Sequence, residues 1–351
     1  MKVGVYYNNS DVRVEKRWMP IIDDDEFLLK VIASGICGSD VMEWYRIKKA
    51  PIILGHEVTG DIVSIGKNVK KYSLGDRVFV SHHVPCNTCE YCLSGNETTC
   101  DTLRKTNFDP GGFAEYIRIP KINVDRGTFK LPESMSYEEG TFIEPLGCVV
   151  RCLRKANFNP GNDVLVLGSG ISGLLNIQLS KALGAAKIFA TDVNDYRIDA
   201  AKKFGADYVF NANEDITTKI KEFNNGKLVD KVIICTGAKS AIEQAFNCAD
   251  RGSYIVFYAP PKPEDITNVN FNKLWKDEVT LVTTYGASPK DMHQSMELIN
   301  SKRINVSDMV THRLNLEEIA LGFKLTAEAK ESIKVIIQPH FPYKLDELQV
   351  F

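Results

Sequence analysis

Four cysteines lie close together in the first third of the chain, at the spacing CxxCxxCx7C. The residues between them are mostly polar, so this segment can bury little apolar surface of its own. Four thiolates complete a tetrahedral zinc site without leaving a position for substrate, and this indicates a structural metal. An iron–sulfur cluster also takes four cysteines, and the spacing leaves that alternative open. The predicted ligands are Cys86, Cys89, Cys92 and Cys100.

Two histidines, His82 and His83, come shortly before this segment. Because four thiolates already complete a zinc site, we assign both imidazoles to packing or solvent-facing positions rather than to the metal. The chain has nine cysteines, an odd number. Their clustering therefore favours metal ligation over the disulfide framework of a secreted protein.

A second set of ligand types is spread over the first 150 residues. The segment "SGICGSD" supplies Cys37, and "ILGHEVTG" supplies His56 and Glu57. A catalytic zinc typically takes three protein ligands and keeps one position for water or substrate, and cysteine, histidine and carboxylate make a workable set. A further carboxylate, Glu144 in "FIEPLG", is either a direct ligand or binds through water. The residues leave open whether Glu57 or Glu144 is the third direct ligand.

A glycine-rich turn predicts a dinucleotide site. In "VLVLGSGISGLL" the glycines Gly168, Gly170 and Gly173 form a GxGxxG turn that follows an apolar strand and opens a helix. The first glycine permits the tight turn, the second lets the backbone approach a pyrophosphate, and the third allows close helix packing. The helix N-terminus then faces the phosphates. A glycine-rich turn that holds no ligand is the alternative for this motif.

An acidic residue at the end of the next strand favours NAD over NADP. Asp192 closes "KIFATD" and is placed to accept hydrogen bonds from the adenosine ribose, where a carboxylate repels a 2′-phosphate. Arg197 could instead contact the ribose or reach a phosphate. The expected cofactor-binding set also includes Ile171, Ser172 and Thr236.

The elements that must position these residues fall into two parts of the chain, and each part has its own strand pattern. Up to about Ile119, short β-rich runs alternate with Gly, Pro and Asn/Asp turns, which predicts a β-rich, barrel-like domain. From Asp163, apolar strands alternate with helical segments, which predicts a doubly wound parallel sheet covered by helices. An amphipathic helix (Met292 to Asn300), a strand near Thr311 and "SIKVIIQP" are expected to return to the first domain.

The resulting α/β two-domain division matches a length of 351 residues, which exceeds what one core usually supports. We expect a catalytic domain of residues 1–147 and 286–351, with a zinc lobe at about 82–105, and a cofactor domain of residues 148–285. We predict no secondary structure for residues 341–351.

Composition excludes several kinds of partner. The chain has 43 Lys and Arg against 45 Asp and Glu, and no basic block suggests a nucleic-acid surface. The N-terminus lacks the apolar region of a signal peptide, and no apolar stretch approaches membrane-spanning length. We therefore expect a cytoplasmic protein that acts on a small molecule, with neither nucleic acid nor membrane as a partner.

Taken together, these motifs make the chain resemble the medium-chain zinc alcohol dehydrogenase family, and within it the sorbitol and polyol dehydrogenase branch. The likeness covers nearly the whole chain and includes, in order, "GICGSD", "GHEVTGDIVSIG", "GDRV", the four-cysteine lobe, "GGFAEY", "EPLG", "VLVLGSGISG" and "KVIIQP". It implies a GroES-like catalytic domain that the C-terminal segment completes, with a Rossmann domain inserted before that segment. It also implies a homo-oligomer, with a tetramer favoured over a dimer.

The resemblance assigns roles to residues at matching positions. It makes Cys37 and His56 zinc ligands and Glu57 a ligand in one state, while Glu144 replaces the cysteine of simple alcohol dehydrogenases and marks the polyol-like branch. Ser39 matches the hydroxyl that begins the proton relay, and Lys334 matches a basic residue near the pyrophosphate. Sorbitol-type enzymes often carry a histidine three residues after this serine, and here Met42 stands in its place. The outer part of the relay must therefore differ.

The expected activity is NAD-dependent oxidation of a secondary alcohol on a polyol, cyclitol or sugar-like substrate, with zinc at both sites. For the pocket we name Trp44 and Tyr285. The cations Arg46, Lys48 and Lys49 raise the alternative of a sugar-phosphate substrate. A 2,3-diol or L-threonine is another alternative within the same family. A protein that binds nucleotide and zinc without turnover, and a zinc-free quinone reductase, are more remote ones.

Overall fold

The computed structural model describes residues 1–340, whose contacts separate into two units. The first unit contains Met1–Glu144 together with the described residues from Val306 onward, and the second is Pro145–Asn305. The part of the expected catalytic domain at residues 341–351 lies outside the described residues.

The first unit is rich in β-strands, as the turn-punctuated sequence predicts. Its N-terminal part contains strands β1 (Lys2–Asn8), β2 (Asp11–Lys16), β3 (Phe27–Gly35), β4 (Ile52–Ile53), β5 (Glu57–Ile65), β6 (Arg77–Ser81), β7 (Tyr116–Ile119) and β8 (Thr128–Lys130). Its short helices are α1 (Glu43–Arg46), α2 (Glu90–Leu93), α3 (Asp101–Lys105), α4 (Lys121–Arg126) and α5 (Tyr137–Gly140). Helix α6 (Ile143–Lys155) follows, and Glu144 lies in its first turn.

The second unit alternates strands and helices. Its strands are β9 (Asp163–Leu167), β10 (Lys187–Asp192), β11 (Tyr208–Asn211), β12 (Val229–Ile234), β13 (Ala249–Phe257) and β14 (Thr280–Thr283). Its helices after α6 are α7 (Ile171–Ala182), α8 (Asp195–Lys203), α9 (Ile216–Phe223), α10 (Lys239–Cys248), α11 (Phe271–Lys276) and α12 (Pro289–Asn300). The chain then returns to the first unit with β15 (Val310–Leu314), α13 (Ile319–Glu328) and β16 (Lys334–Ile337).

One sheet of the first unit runs β15-β16-β3-β5-β6-β8, with β7 paired to β3, and a smaller one runs β2-β1-β4. Strand β3 buries alternate side chains over its first half, because successive residues of a strand point to opposite faces. The C-terminal segment enters this sheet where β16 pairs antiparallel with β3. The glutamate that begins β5 thereby lies near the start of β16.

The second unit contains a six-stranded parallel sheet in the order β11-β10-β9-β12-β13-β14. Residues 164–167 of β9 are fully buried, as expected for a parallel sheet covered on both faces. The order reverses direction between β9 and β12, and ligands bind in doubly wound folds at such a switch point. The Rossmann-type topology predicted from the sequence is confirmed.

Helix α12 differs from the sequence prediction in its start and in its unit. It begins at Pro289 rather than Met292, because Pro occupies the first turn and Ser288 forms a capping box with Asp291. The helix packs within the second unit, where Arg154 of α6 forms an ion pair with Asp291 at 2.7 Å. The contact boundary therefore follows Asn305 instead of residue 285.

Across the described residues, every helix is too short or too polar to cross a membrane.

Candidate metal and dinucleotide sites

The four-cysteine lobe brings its sulfur atoms together. The Sγ atoms of Cys86, Cys89, Cys92 and Cys100 all lie within 4.8 Å of one another. The turns of α2 and of the following 3-10 segment Glu97–Thr99 shape the loop, and Asn87 adopts a left-handed backbone with φ of 63°. Four sulfurs at these separations match a closed tetrahedral zinc site.

The chemistry of these thiols also fits a bound cation. Backbone N–H groups of Thr88 and Cys89 point at the Cys86 sulfur, at 3.4 and 3.3 Å, and lower the pKa of that thiol to about 5. Burial and the Cys89 thiol raise the pKa of Cys92 to about 12. Burial and the neighbouring thiol thus disfavour a thiolate at Cys92, and a bound divalent cation would stabilise that thiolate.

A second cluster forms where two separate segments of the first unit meet. Cys37 caps the 3-10 turn Gly38–Val41, while His56 and Glu57 lie at the entry to β5. One ligand atom from each of Cys37, His56 and Glu57 lies within 4.8 Å of the others. The structure therefore brings together three of the four residues that the sequence suggested for an open zinc site.

Asp40 is a fully buried carboxylate that ties this cluster together. Its Oδ2 accepts a hydrogen bond from the Cys37 backbone at 3.1 Å, and its Oδ1 lies 3.4 Å from His56 Nδ1. Burial opposes a charged imidazole, yet the neighbouring Asp40 and Cys37 raise the pKa of His56 well above its ordinary value. The pocket thus favours positive charge at this position, which a zinc ion supplies. A carboxylate behind a zinc-binding histidine is a common way to orient the ring.

Glu57 is buried and forms an ion pair with Lys334. The Lys334 ammonium also lies 3.4 Å from the carbonyl oxygen of Ile36 and 5.5 Å from the centre of the Phe142 ring. Within residues 1–340, the other carboxylate oxygen of Glu57 has no hydrogen-bond partner. Lys334, expected near the pyrophosphate, is therefore buried behind the zinc cluster in this structure.

Glu144 is buried at the start of α6 but lies outside the three-residue cluster. Its exposed fraction is 6%. The described geometry thus groups Glu57 with Cys37 and His56.

His82 and His83 pack beside the zinc cluster. The ring centres of His82 and His56 are 4.9 Å apart, and those of His82 and His83 are 3.8 Å apart. Burial, together with nearby cationic groups, lowers the pKa of His82 well below its ordinary value and that of His83 to about 4. Of the two roles expected from the sequence, the structure supports packing, with both rings neutral near pH 7.

Ser39 lies within the 3-10 turn that Cys37 caps, and its hydroxyl oxygen accepts a hydrogen bond from Arg46 at 3.0 Å. Met42 links this turn to α1, which carries Arg46 and the half-buried Trp44. Lys48 and Lys49 are exposed. Tyr285, the other aromatic expected at the substrate pocket, is 50% exposed in the second unit.

The glycine turn has the backbone that its sequence predicts. Gly168 has φ of +91°, which a side chain disfavours, and a Cβ at Gly173 would overlap the Gly168 carbonyl oxygen. A Cβ at Gly170 would meet only the Arg197 guanidinium, at 3.7 Å. Helix α7 starts at Ile171, directly after this turn, and continues through Ser172. The turn can therefore present its backbone and a helix N-terminus to phosphate groups.

Asp192 supports the same turn. Its carboxylate accepts hydrogen bonds from the backbone N–H groups of Ser169 and Asn194, at 2.8 and 3.0 Å. Thr236, after β12, borders Gly168, whose added Cβ would lie 3.2 Å from the threonine Cβ. Arg197 has a buried Nε without a hydrogen-bond partner among residues 1–340. Asp192, Arg197 and Thr236 thus all lie beside the turn.

Sequence reasoning missed Asp40 entirely and gave Arg46 a different role. Asp40 directly follows Ser39 in "GICGSD", so its position in the motif was the available signal. Its contacts with His56 and Arg46, however, depend on how the turn and α1 fold.

Comparison with known proteins identifies the family of the chain. Residues 23–133 match the alcohol dehydrogenase GroES-like domain, and residues 172–301 match the zinc-binding dehydrogenase family. The chain is 31% identical to sorbitol dehydrogenase of Bacillus subtilis, over 97% of this chain and 98% of that protein.

Two solved structures from Escherichia coli are similar over nearly the whole chain. One is an oxidoreductase/dehydrogenase of unknown specificity, at 30% identity and a TM-score of 0.86, covering 96% of this chain and 98% of that one. The other is galactitol-1-phosphate dehydrogenase, at 28% identity and a TM-score of 0.84, covering 97% of this chain and 100% of that one.

Proposed function

Because this chain belongs to the zinc-dependent medium-chain alcohol dehydrogenase family, in its sorbitol dehydrogenase-like branch, we propose that it oxidises a secondary alcohol of a polyol, cyclitol or sugar-like substrate with NAD. The observation that carries this proposal is the cluster of Cys37, His56 and Glu57, a mixed ligand set that leaves room for substrate. Glu144, at the start of α6, is available as a further ligand directly or through water.

Each group near the cluster has a distinct part in the proposed reaction. Cys37 and His56 would hold the zinc ion, which when bound would supply the Lewis acidity that lowers the pKa of the substrate hydroxyl. Asp40 orients the His56 ring through its Nδ1 atom. Ser39 accepts the hydroxyl proton of the substrate and passes its own hydroxyl proton on toward solvent, while the substrate carbon gives its hydride to NAD. The neutral rings of His82 and His83 pack on the side of His56 and add no charge to the metal site.

The choice of NAD rests on Asp192. Its buried carboxylate lies beside the glycine turn, where it would repel the 2′-phosphate of NADP. Arg197, also beside the turn, is the residue that could favour NADP instead. The ratio of kcat/KM for the two cofactors tests this choice, and a higher value with NADP would contradict it.

The test of the activity is a substrate panel with zinc-loaded protein and NAD. The panel contains polyols, cyclitols, sugar phosphates, 2,3-diols and L-threonine, and reduction of the cofactor is followed. We expect the highest kcat/KM with an unphosphorylated polyol or cyclitol, and loss of turnover in His56→Ala with NAD binding retained. Activity with none of these compounds, or normal activity in His56→Ala, would contradict the proposal.

A sugar-phosphate substrate is the second candidate. Lys48 and Lys49 are exposed just after α1, where they could bind a phosphate, and one similar structure is a galactitol-1-phosphate dehydrogenase. Lys48→Ala distinguishes the candidates. Its kcat/KM should fall sharply for a phosphorylated substrate and stay unchanged for a neutral polyol.

A further inference from the structure

We propose that Arg46 is a positioning residue of the zinc centre, whose guanidinium fixes the Ser39 hydroxyl and the Asp40 carboxylate at the same time. The proposal rests on the dehydrogenase function proposed above. It gives Arg46 a role different from phosphate binding, and it identifies what occupies the neighbourhood of Ser39 where Met42 replaces a histidine.

Among the described residues, the side-chain hydrogen bonds of Arg46 converge on two consecutive residues. Its Nε donates to the Ser39 carbonyl oxygen at 2.9 Å, and its Nη2 donates to the Ser39 hydroxyl oxygen at 3.0 Å. The same Nη2 lies 3.4 Å from Asp40 Oδ1. Because the guanidinium is a rigid planar fork, these contacts fix the orientation of both partners together.

Burial separates Arg46 from its basic neighbours. Its side chain is only 14% exposed, whereas Lys48 and Lys49 are exposed. The guanidinium also lies over the Tyr45 ring, 4.8 Å from its centre, and faces the fully buried Asp40. The positive charge of Arg46 therefore interacts with Asp40 inside the protein.

The contact with Ser39 limits what this hydroxyl can do. A serine hydroxyl has one hydrogen to donate and two lone pairs to accept with, and Arg46 uses one lone pair. A guanidinium has no acceptor and does not give up its proton, so a proton that reaches Ser39 cannot leave through Arg46. Arg46 therefore holds the oxygen in place while the proton exchanges through the remaining lone pair and the hydrogen of the Ser39 hydroxyl.

The contact with Asp40 extends the effect of Arg46 to the metal ligands. Asp40 Oδ1 is shared between Arg46 Nη2 and His56 Nδ1, and Asp40 Oδ2 accepts from the Cys37 backbone. Loss of Arg46 would free this carboxylate to rotate and would loosen the His56 ring. Mutation of a residue that orients a metal ligand typically weakens metal affinity by about 10- to 100-fold.

The experiment compares Arg46→Met and Arg46→Lys with the wild type, and uses Lys48→Met as the matched control. Zinc affinity of the Cys37 site is measured by competition with a chelator, and kcat and KM are measured with the best substrate of the panel. In Arg46→Met we expect zinc affinity about 10-fold weaker. At saturating zinc we expect kcat to fall by about 10- to 100-fold with a smaller change in KM. Lys48→Met should match the wild type in zinc affinity.

Two further readouts separate positioning from folding. In Arg46→Ala, which leaves a space where the guanidinium lay, added methylguanidinium should partly restore kcat, and it should leave the wild type unchanged. Arg46→Lys keeps the charge but lacks the fork, so it should retain the wild-type melting temperature and still lose kcat. If Arg46→Met does not fold, Arg46→Lys alone decides the question.

Wild-type zinc affinity and kcat in Arg46→Met, or wild-type kcat in Arg46→Lys, would overturn the proposal. Inactivity of the wild type on every substrate contradicts the dehydrogenase function instead. The chelator competition still tests Arg46 in that case, because it needs no turnover, and unchanged zinc affinity in both variants would then overturn its role.

Discussion

Glu57 and Lys334 form the most buried ion pair of the zinc centre, with exposed side-chain fractions of 1% and 0%. The sequence placed Glu57 beside His56 because the two residues are adjacent in "GHE". It could not predict the pairing with Lys334, because that contact depends on β16 joining the sheet next to β3. The resemblance to a family assigned Lys334 a role near the cofactor, and its contacts with Glu57 and Ile36 add a structural role.

Replacing Lys334 with Met should destabilise the first unit. The change leaves the Glu57 carboxylate buried without its cation, and breaking a buried pair in this way typically costs about 3–5 kcal/mol of the free energy of unfolding. Urea denaturation measures the loss. The double variant Glu57→Gln/Lys334→Met, which removes both charges, should recover part of it. A loss below about 1 kcal/mol in Lys334→Met would contradict the importance of the pair.

His83 should make the protein less stable in mild acid. Burial lowers the pKa of His83 from 6.5 to about 4, so between these values the unfolded chain binds a proton that the folded chain does not. The free energy of unfolding therefore falls as the pH drops below 6.5, by up to about 1.4 kcal/mol per pH unit, and this contribution levels off near pH 4. Urea titrations of His83→Gln should show a shallower decline than the wild type over this range. His293→Gln, at an exposed position of α12, serves as control. Equal slopes for His83→Gln and the wild type would refute this prediction.

Among the elements, the glycine turn and the cysteine lobe were the most predictable, because each depends on a short stretch of sequence. The conformation of Gly168 and the close approach at Gly173 follow from the position of the glycines between β9 and α7. The zinc cluster was less predictable, since it joins a 3-10 turn, the start of β5 and the start of β16. Local patterns named Cys37 and His56 as candidates, but only the fold placed Asp40 behind them.

Two alanine substitutions in the glycine turn should have different effects. Gly173→Ala places a Cβ against the Gly168 carbonyl oxygen, so it should lower both the melting temperature and the affinity for NAD. Gly170→Ala makes only ordinary contacts in the protein, so it should keep the melting temperature and weaken NAD binding, because its methyl group would face the pyrophosphate. Calorimetric titration with NAD and thermal unfolding test both variants. Unchanged NAD binding in Gly170→Ala would argue against a phosphate site at this turn.

Removing one thiolate should release the metal of the cysteine lobe. Cys89→Ser leaves three sulfurs, and we expect zinc content to fall by about one ion per chain, with a lower melting temperature. Leu93→Ala, in the same lobe at a side chain 76% exposed, is the control and should retain its zinc. Unchanged zinc and stability in Cys89→Ser would contradict a structural site.

For the molecule as a whole, the sequence changes from short strands separated by turns to strands that alternate with helices. This change was enough to predict a β-rich unit followed by a parallel-sheet unit. The C-terminal boundary was predicted less accurately, because the amphipathic pattern of α12 shows which face is buried but not what covers it. The contacts of Arg154 with Asp291 supply that information. The assignment of Trp44 and Tyr285 to substrate binding stays a prediction, because aromatic side chains serve packing as readily as binding.

The central claim is that an open zinc site at Cys37 and His56 catalyses NAD-linked oxidation of a polyol-type alcohol. The most direct measurement determines zinc content and NAD reduction together, in the wild type and in Cys37→Ser, with the best substrate of the panel. We predict about two zinc ions per chain and steady turnover in the wild type, against about one zinc ion, no turnover and retained NAD binding in Cys37→Ser. Wild-type turnover in Cys37→Ser, or turnover by a protein that contains no zinc, would contradict the account.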